Sequence, residues 1–179
     1  MDAAWLPVTL YLQTDVLTGV IRQSHEERLL DLLNSVFVKR PESRGRFLSL
    51  RNVTIEHTGG KEERLPTAYV NKTTIQLAAI TDGDLARGAG ARADPKPYPF
   101  KRKSPLPVVV RTPNYELAGD IHLFGGQAVW RLFEEKLMFL PLTNVKISAL
   151  GNGLRWAVGF AAVNREQVLL LQQEELGGR

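Results

Sequence analysis

Phe47-Leu48-Ser49-Leu50-Arg51-Asn52-Val53-Thr54-Ile55 and Phe139-Leu140-Pro141-Leu142-Thr143-Asn144-Val145-Lys146-Ile147 follow one pattern. Each opens on Phe-Leu-x-Leu, places an Asn in the middle and closes on alternating apolar residues. Upstream, a shift of 100 residues aligns the halves further: Val8-Thr9-Leu10 with Val108-Val109-Val110, Leu17-Thr18-Gly19 with Leu117-Ala118-Gly119, and Ile21 with Ile121. Leu29 to Leu33 falls on Val129 to Phe133. An insertion of about eight residues within Val36 to Arg44 then resets the offset. Downstream, Val70-Asn71-Lys72 falls on Val163-Asn164-Arg165, and Ile75 on Val168. Separated blocks in one order read as an internal duplication.

Each copy has a physical reading. Val8, Leu10 and Leu12 alternate with Thr9 and Tyr11, the period of a half-buried strand. Leu17 to Gln23 is a second strand, and the glycine inside it, Gly19 or Gly119, marks a bulge, a bend or close backbone approach. Ser24-His25-Glu26-Glu27 has capping-box spacing and predicts a helix whose apolar face is Leu29, Leu30, Leu32 and Leu33, ending near Asn34. In the second copy Gly125-Gly126 precedes the helix, and Trp130 and Phe133 enlarge its apolar face. Phe47 to Glu56 and Tyr69 to Ile80 are further strands, the latter broken by a tight turn at Asn71-Lys72. Gly151-Asn152-Gly153 is a hairpin turn, followed by strands Val158 to Val163 and Gln167 to Gln172.

The order strand, strand, helix, strands, with curved short strands around a glycine, predicts a mainly β (α+β) chain of two tandem Sm-like or SH3-like small barrels. The expected boundaries are 1–80 for the first unit, 81–107 for a linker and 108–179 for the second unit. The pattern resembles an uncharacterised family of bacterial Sm-like domains. The resemblance is carried by Val8-Thr9-Leu10-Tyr11, Leu17-Thr18-Gly19-Val20-Ile21, Arg28 to Asn34, Phe47-Leu48-Ser49-Leu50 and Val70-Asn71-Lys72. The second copy departs from it at the helix, with Arg131 and Glu134 in place of Asp31 and Asn34. It implies a fold rather than an activity; Sm-like barrels as a class often bind RNA or build rings.

Composition narrows the chemistry. The chain has 179 residues, an ordinary globular balance of apolar and charged residues, and no cysteine. That excludes disulfides, thiolate metal sites and a cysteine nucleophile, and it fits a reducing, cytoplasmic setting. The start, Met1-Asp2-Ala3-Ala4-Trp5-Leu6-Pro7, lacks a basic region and a long apolar run, so no signal peptide is expected. No apolar run approaches the ~20 residues that span a bilayer, so no membrane insertion is expected.

Candidate chemistry is sparse. His25, His57 and His122 lack metal-ligand spacing and read as solvated or structural. Adjacent acids such as Glu26-Glu27 and Glu134-Glu135 do not face each other on a helix. The glycine stretches at Gly88 to Gly90 and Gly125-Gly126 lack a phosphate-loop lysine and read as turns. The sequence therefore predicts no catalytic residues, no metal, no cofactor and no enzyme.

The net charge is +4, and the linker alone carries +3 of it, so the remainder is nearly neutral. Asp94 to Pro105 interleaves bases with aromatics, and its candidate contact residues are Lys96, Tyr98, Phe100, Lys101, Arg102 and Lys103. They suit a stiff spacer or a strap laid on a neighbouring protein surface. They also suit a path along a phosphate backbone with Tyr98 or Phe100 stacking on a base. The expected function is a non-catalytic scaffold or protein-interaction module, a subunit of a larger assembly whose partner is itself or another protein. The alternative is an RNA or single-stranded nucleic-acid binder using the basic linker.

Overall fold

Leu6, Val8 and Leu10 are buried, and they alternate along β1 (Ala4–Tyr11) with the exposed or half-buried Trp5, Pro7 and Thr9. The computed structural model describes residues 4–23, 28–35, 43–81, 103–134 and 136–174. In the first half β1 is followed by β2 (Asp15–Gln23), the helix α1 (Leu29–Asn34), β3 (Ser43–Arg44), β4 (Phe47–His57), β5 (Glu62–Asn71) and β6 (Leu77–Ile80). The second half contributes β7 (Lys103–Arg111), β8 (Tyr115–Phe124), β9 (Phe139–Ala149), β10 (Arg155–Asn164) and β11 (Leu170–Gln173). The chain is mainly β, with one short α-helix among the described residues.

The expectation of two closed small barrels is corrected. Among the described residues all the strands join one 11-stranded antiparallel sheet in the order β11-β7-β8-β9-β10-β6-β1-β2-β4-β3, with β5 on β4. The cause is β6. After Asn71 the chain turns through a 3-10 turn at Lys72–Thr74 and lays β6 beside β1. The other edge of β6 is taken by β10, from Phe160↔Ile80 to Val163↔Leu77. A strand with a neighbour on each side satisfies its backbone groups by joining the halves instead of closing either one.

The two halves match where the backbone is most constrained. A Cβ on Gly19 would lie 3.0 Å from the Arg51 carbonyl oxygen, and one on Gly119 would lie 3.0 Å from that of Thr143. The strand register shifts at both points, between Thr18 and Val20 and between Ala118 and Asp120. Asn52 and Asn144 have φ of 52° and 53°, the left-handed region that Asn tolerates better than most side chains. Asn71 and Asn164 each cap a 3-10 turn by accepting from the backbone N–H two residues on.

They differ at the helix. In the first half Asp31 accepts from the Arg28 N–H, so Arg28 is the N-cap; Ser24 to Glu27, expected to cap, lie outside the described residues. Lys72, fully buried, donates its Nζ to the carbonyls of Leu32 (2.7 Å) and Ser35 (3.1 Å), neutralising the helix's negative end. In the second half the expected helix is only a 3-10 turn, Val129–Phe133, following a turn at Gly125-Gly126. Trp130 and Phe133 do not enlarge a buried face there; both are exposed, and Leu132 alone of this turn is buried.

Candidate functional site

Two hydrophobic clusters form the core, and each one crosses between the halves. The first gathers Leu6, Leu10, Leu29, Leu33, Leu50 and Ile80, and is completed by Phe139, Phe160 and Ala162 from the second half. The second gathers Val110, Leu117, Ile121 and Val145, and is completed by Tyr11, Leu77 and Ala79 from the first. The junction is therefore a reciprocal exchange of side chains. Along β10, Phe160 and Ala162 face one core while Ala161 and Val163 face the other. A strand apolar on both faces is buried on both faces, and the run from Val158 to Val163 is the sequence signal for this junction.

Polar contacts fix the register. Gln76 is buried; its Nε2 donates to Asn114 Oδ1 (2.6 Å) and its Oε1 accepts from Thr112 Oγ1 (2.7 Å) and the Asn114 N–H (3.2 Å). Its backbone donates to the Tyr11 carbonyl and accepts from the Asn164 N–H. The buried Asn164 amide donates to the carbonyls of Ile75 (2.9 Å) and Lys72 (3.3 Å). At the other side Asn34 grips the Phe139 backbone twice, accepting from its N–H (2.8 Å) and donating to its carbonyl (3.2 Å). Buried polar groups that are all paired tolerate few alternative alignments.

An aromatic trio closes one end. Tyr11 stacks on Trp156 with ring centroids 5.5 Å apart and meets Tyr115 edge-on at 5.2 Å. Burial pushes the Tyr11 phenol up to about 12; the neighbouring Trp156 indole acts in the opposite direction, and the charges of Tyr115 and Glu56 add to the rise. The indole N–H makes no hydrogen bond of normal geometry among the described residues. Burial also raises Tyr115.

Beyond the junction the sheet among the described residues ends on the outer edges of β5 and β11, and on the two-residue β3, which pairs only with β4. Beside β11 lies a groove of about 640 Å³, lined by Leu106, Leu123, Val129, Trp130, Phe133 and Leu171.

Of the residues singled out in the sequence, Lys96, Tyr98, Phe100, Lys101 and Arg102 lie outside the described residues. Lys103 opens β7, with its Nζ 4.6 Å from the centre of the Phe124 ring. His25 also lies outside. His57 Nδ1 is 2.7 Å from Asp15 and its Nε2 is 3.5 Å from Glu63, a trio that sequence spacing does not reveal because three strands supply it. His122 pairs with Thr143 Oγ1 at 2.8 Å. Among the described residues no group of three or more His, Cys, Asp or Glu is arranged to hold a metal ion, and no helix is long and apolar enough to cross a membrane. Compared with known proteins, this chain matches no family model, no curated protein and no solved structure.

Proposed function

We propose that this chain is a non-catalytic scaffold or protein-interaction module, built by duplication of one strand–strand–helix–strand unit and acting as a subunit of a larger assembly. Kinship of that unit with Sm-like domains belongs to the same proposal. The observation that carries it is the β6–β10 junction. There, two similar halves join by adding strand to strand and by filling each other's cores. Strand addition with alternate side chains in pockets is a general mode of protein recognition. Among the described residues the chain carries the same kinds of surface, unfilled, along β5 and beside β11.

Light scattering on a sizing column and native mass spectrometry test this reading. The expected result is an assembly whose mass exceeds that of one chain and falls on dilution, or a stoichiometric protein partner. A strict monomer at high concentration that also retains no partner from its own cell overturns it.

A further inference from the structure

We infer that the β5 and β11 edges of the sheet dock a second copy of this chain. The β4–β5 edge of one copy seats against β11 and the adjoining groove of the next, in the register that β10 and β6 use within the chain. This rests on the scaffold reading above and adds the occupant and the alignment.

The internal junction supplies the template. Matching ladders make β5 the counterpart of β10 and β11 the counterpart of β6: Arg51↔Thr67 corresponds to Thr143↔Phe160, and Tyr11↔Leu77 to Arg111↔Leu170. Transferred between copies, the register is Thr67 with Gln173, Ala68 with Gln172, Tyr69 with Leu171 and Val70 with Leu170. Asn71 is the counterpart of Asn164, whose N–H donates to the Gln76 carbonyl. The ladder stops at Pro66, which has no N–H, where its counterpart Gly159 donates to Thr81. A proline there limits edge pairing to the short segment after it.

The side chains fit the same exchange. Phe139, Phe160 and Ala162 enter the first core, and Phe139 is fully buried there. Their counterparts are Phe47, Thr67 and Tyr69, again two aromatics and one small residue. Phe47 is 45% exposed and Tyr69 63% exposed. The site that receives Phe139 beside α1 has its counterpart in the open groove beside the Val129–Phe133 turn. From the opposite side, Leu77 is fully buried in the second core, whereas its counterpart Leu170 is 46% exposed. Among the described residues, projecting side chains along β4 and β5 and an open groove beside β11 are the two halves of one joint.

Charge agrees with this pairing. The counterpart of Tyr11 is Arg111, and those of Tyr115 and Trp156 are Asp15 and Glu63. The joint between copies thus sets a cation against two carboxylates where the joint within the chain packs three aromatic rings together.

The chain has no cysteine, so single cysteines report cleanly. Thr67→Cys and Gln173→Cys, both at exposed positions, are purified separately, mixed and oxidised gently. The expected product is a one-to-one disulfide-linked pair of chains, absent when Glu62→Cys, beyond Pro66, replaces Thr67→Cys. Phe47→Asp, also at an exposed site, should weaken assembly roughly thirtyfold, as loss of a central aromatic anchor does. If the wild type assembles but the linked pair does not form, or Phe47→Asp assembles normally, the docking is wrong and the scaffold reading stands. If the wild type is a monomer at all concentrations and retains no partner from its cell, both fall.

Discussion

Tyr11 of β1 stacks on Trp156 of β10, so a side chain from the first half helps close the core of the second. Its neighbours Leu77 and Ala79 come from the same half and enter the same core. The halves are consequently expected to unfold together. Tyr11→Ala should cost about 3 kcal/mol, the usual range for emptying a buried aromatic site. A single urea transition by tryptophan fluorescence and by far-ultraviolet dichroism, moved to lower urea as a whole, is the expected observation. Two separated transitions would mean that the junction does not couple the halves.

The same residue makes stability depend on alkaline pH. Burial raises the Tyr11 phenol from 10.0 to about 12, and Tyr115 moves in the same direction. Protonation favours the folded chain, so the contribution is fully present below pH 10. Between pH 10 and 12 the unfolded chain ionises first and stability falls, by on the order of 2 to 3 kcal/mol for Tyr11. Phenolate absorbance should show a late-titrating component that Tyr11→Phe removes, with the fall in stability reduced accordingly.

Gln76 tests the polar side of the junction. In the second half its counterpart is Leu169, which is exposed. Gln76→Leu keeps a side chain of similar volume but deprives Thr112 Oγ1 and the Asn114 side chain of a partner. Thr112 keeps its contacts with the Tyr115 backbone and Asn114 is half-buried, so losing these bonds should cost about 1–3 kcal/mol in total. Leu169→Gln should change the stability of the single chain by less than about 0.5 kcal/mol, as surface substitutions do. Equal effects in thermal denaturation would show that Gln76 is not the hub.

These contrasts mark what the sequence discloses. Gly19 and Gly119, Asn52 and Asn144, and Asn71 and Asn164 were legible as matching positions, because a close approach, a positive φ and a side-chain cap each restrict the residue type. Most strands were legible from alternation; the part of β5 before Tyr69, from Glu62, was not, because most of its side chains are exposed. Partnership was not. Leu77 and Leu170 hold corresponding places in β6 and β11, yet one is buried and the other half exposed. Hydrophobic periodicity states that a face is covered, not which half covers it. The same limit produced two closed barrels from a pattern that builds one shared sheet. The aromatic second helix failed for a related reason: Trp130 and Phe133 carry the spacing of a buried face, but what would cover them is absent among the described residues of the same chain. The basic linker residues Lys96 to Arg102 fall outside the described residues, so only Lys103 has a structural context.

The charged character of the joint between copies gives it a salt dependence that the joint inside the chain lacks. Arg111 already holds Glu116, at 2.5 Å, and in the docked arrangement it would also face Asp15 and Glu63, with His57 beside them. Coulombic attraction between partly exposed groups is screened over about 10 Å at 0.1 M salt. Raising salt from about 0.05 to 0.5 M should therefore weaken assembly several-fold, as read by sedimentation velocity. The unfolding midpoint of the isolated chain, held by Tyr11, Tyr115 and Trp156, should move little over the same range. Arg111→Glu should weaken assembly further, and combining it with Glu63→Arg should recover a part of the loss. Recovery requires the two positions to meet across the joint, because Arg111 lies on β7 and Glu63 on β5, strands that do not neighbour each other in the sheet. Assembly that strengthens with salt, or a pair of reversals that simply adds, would place Arg111 away from Glu63.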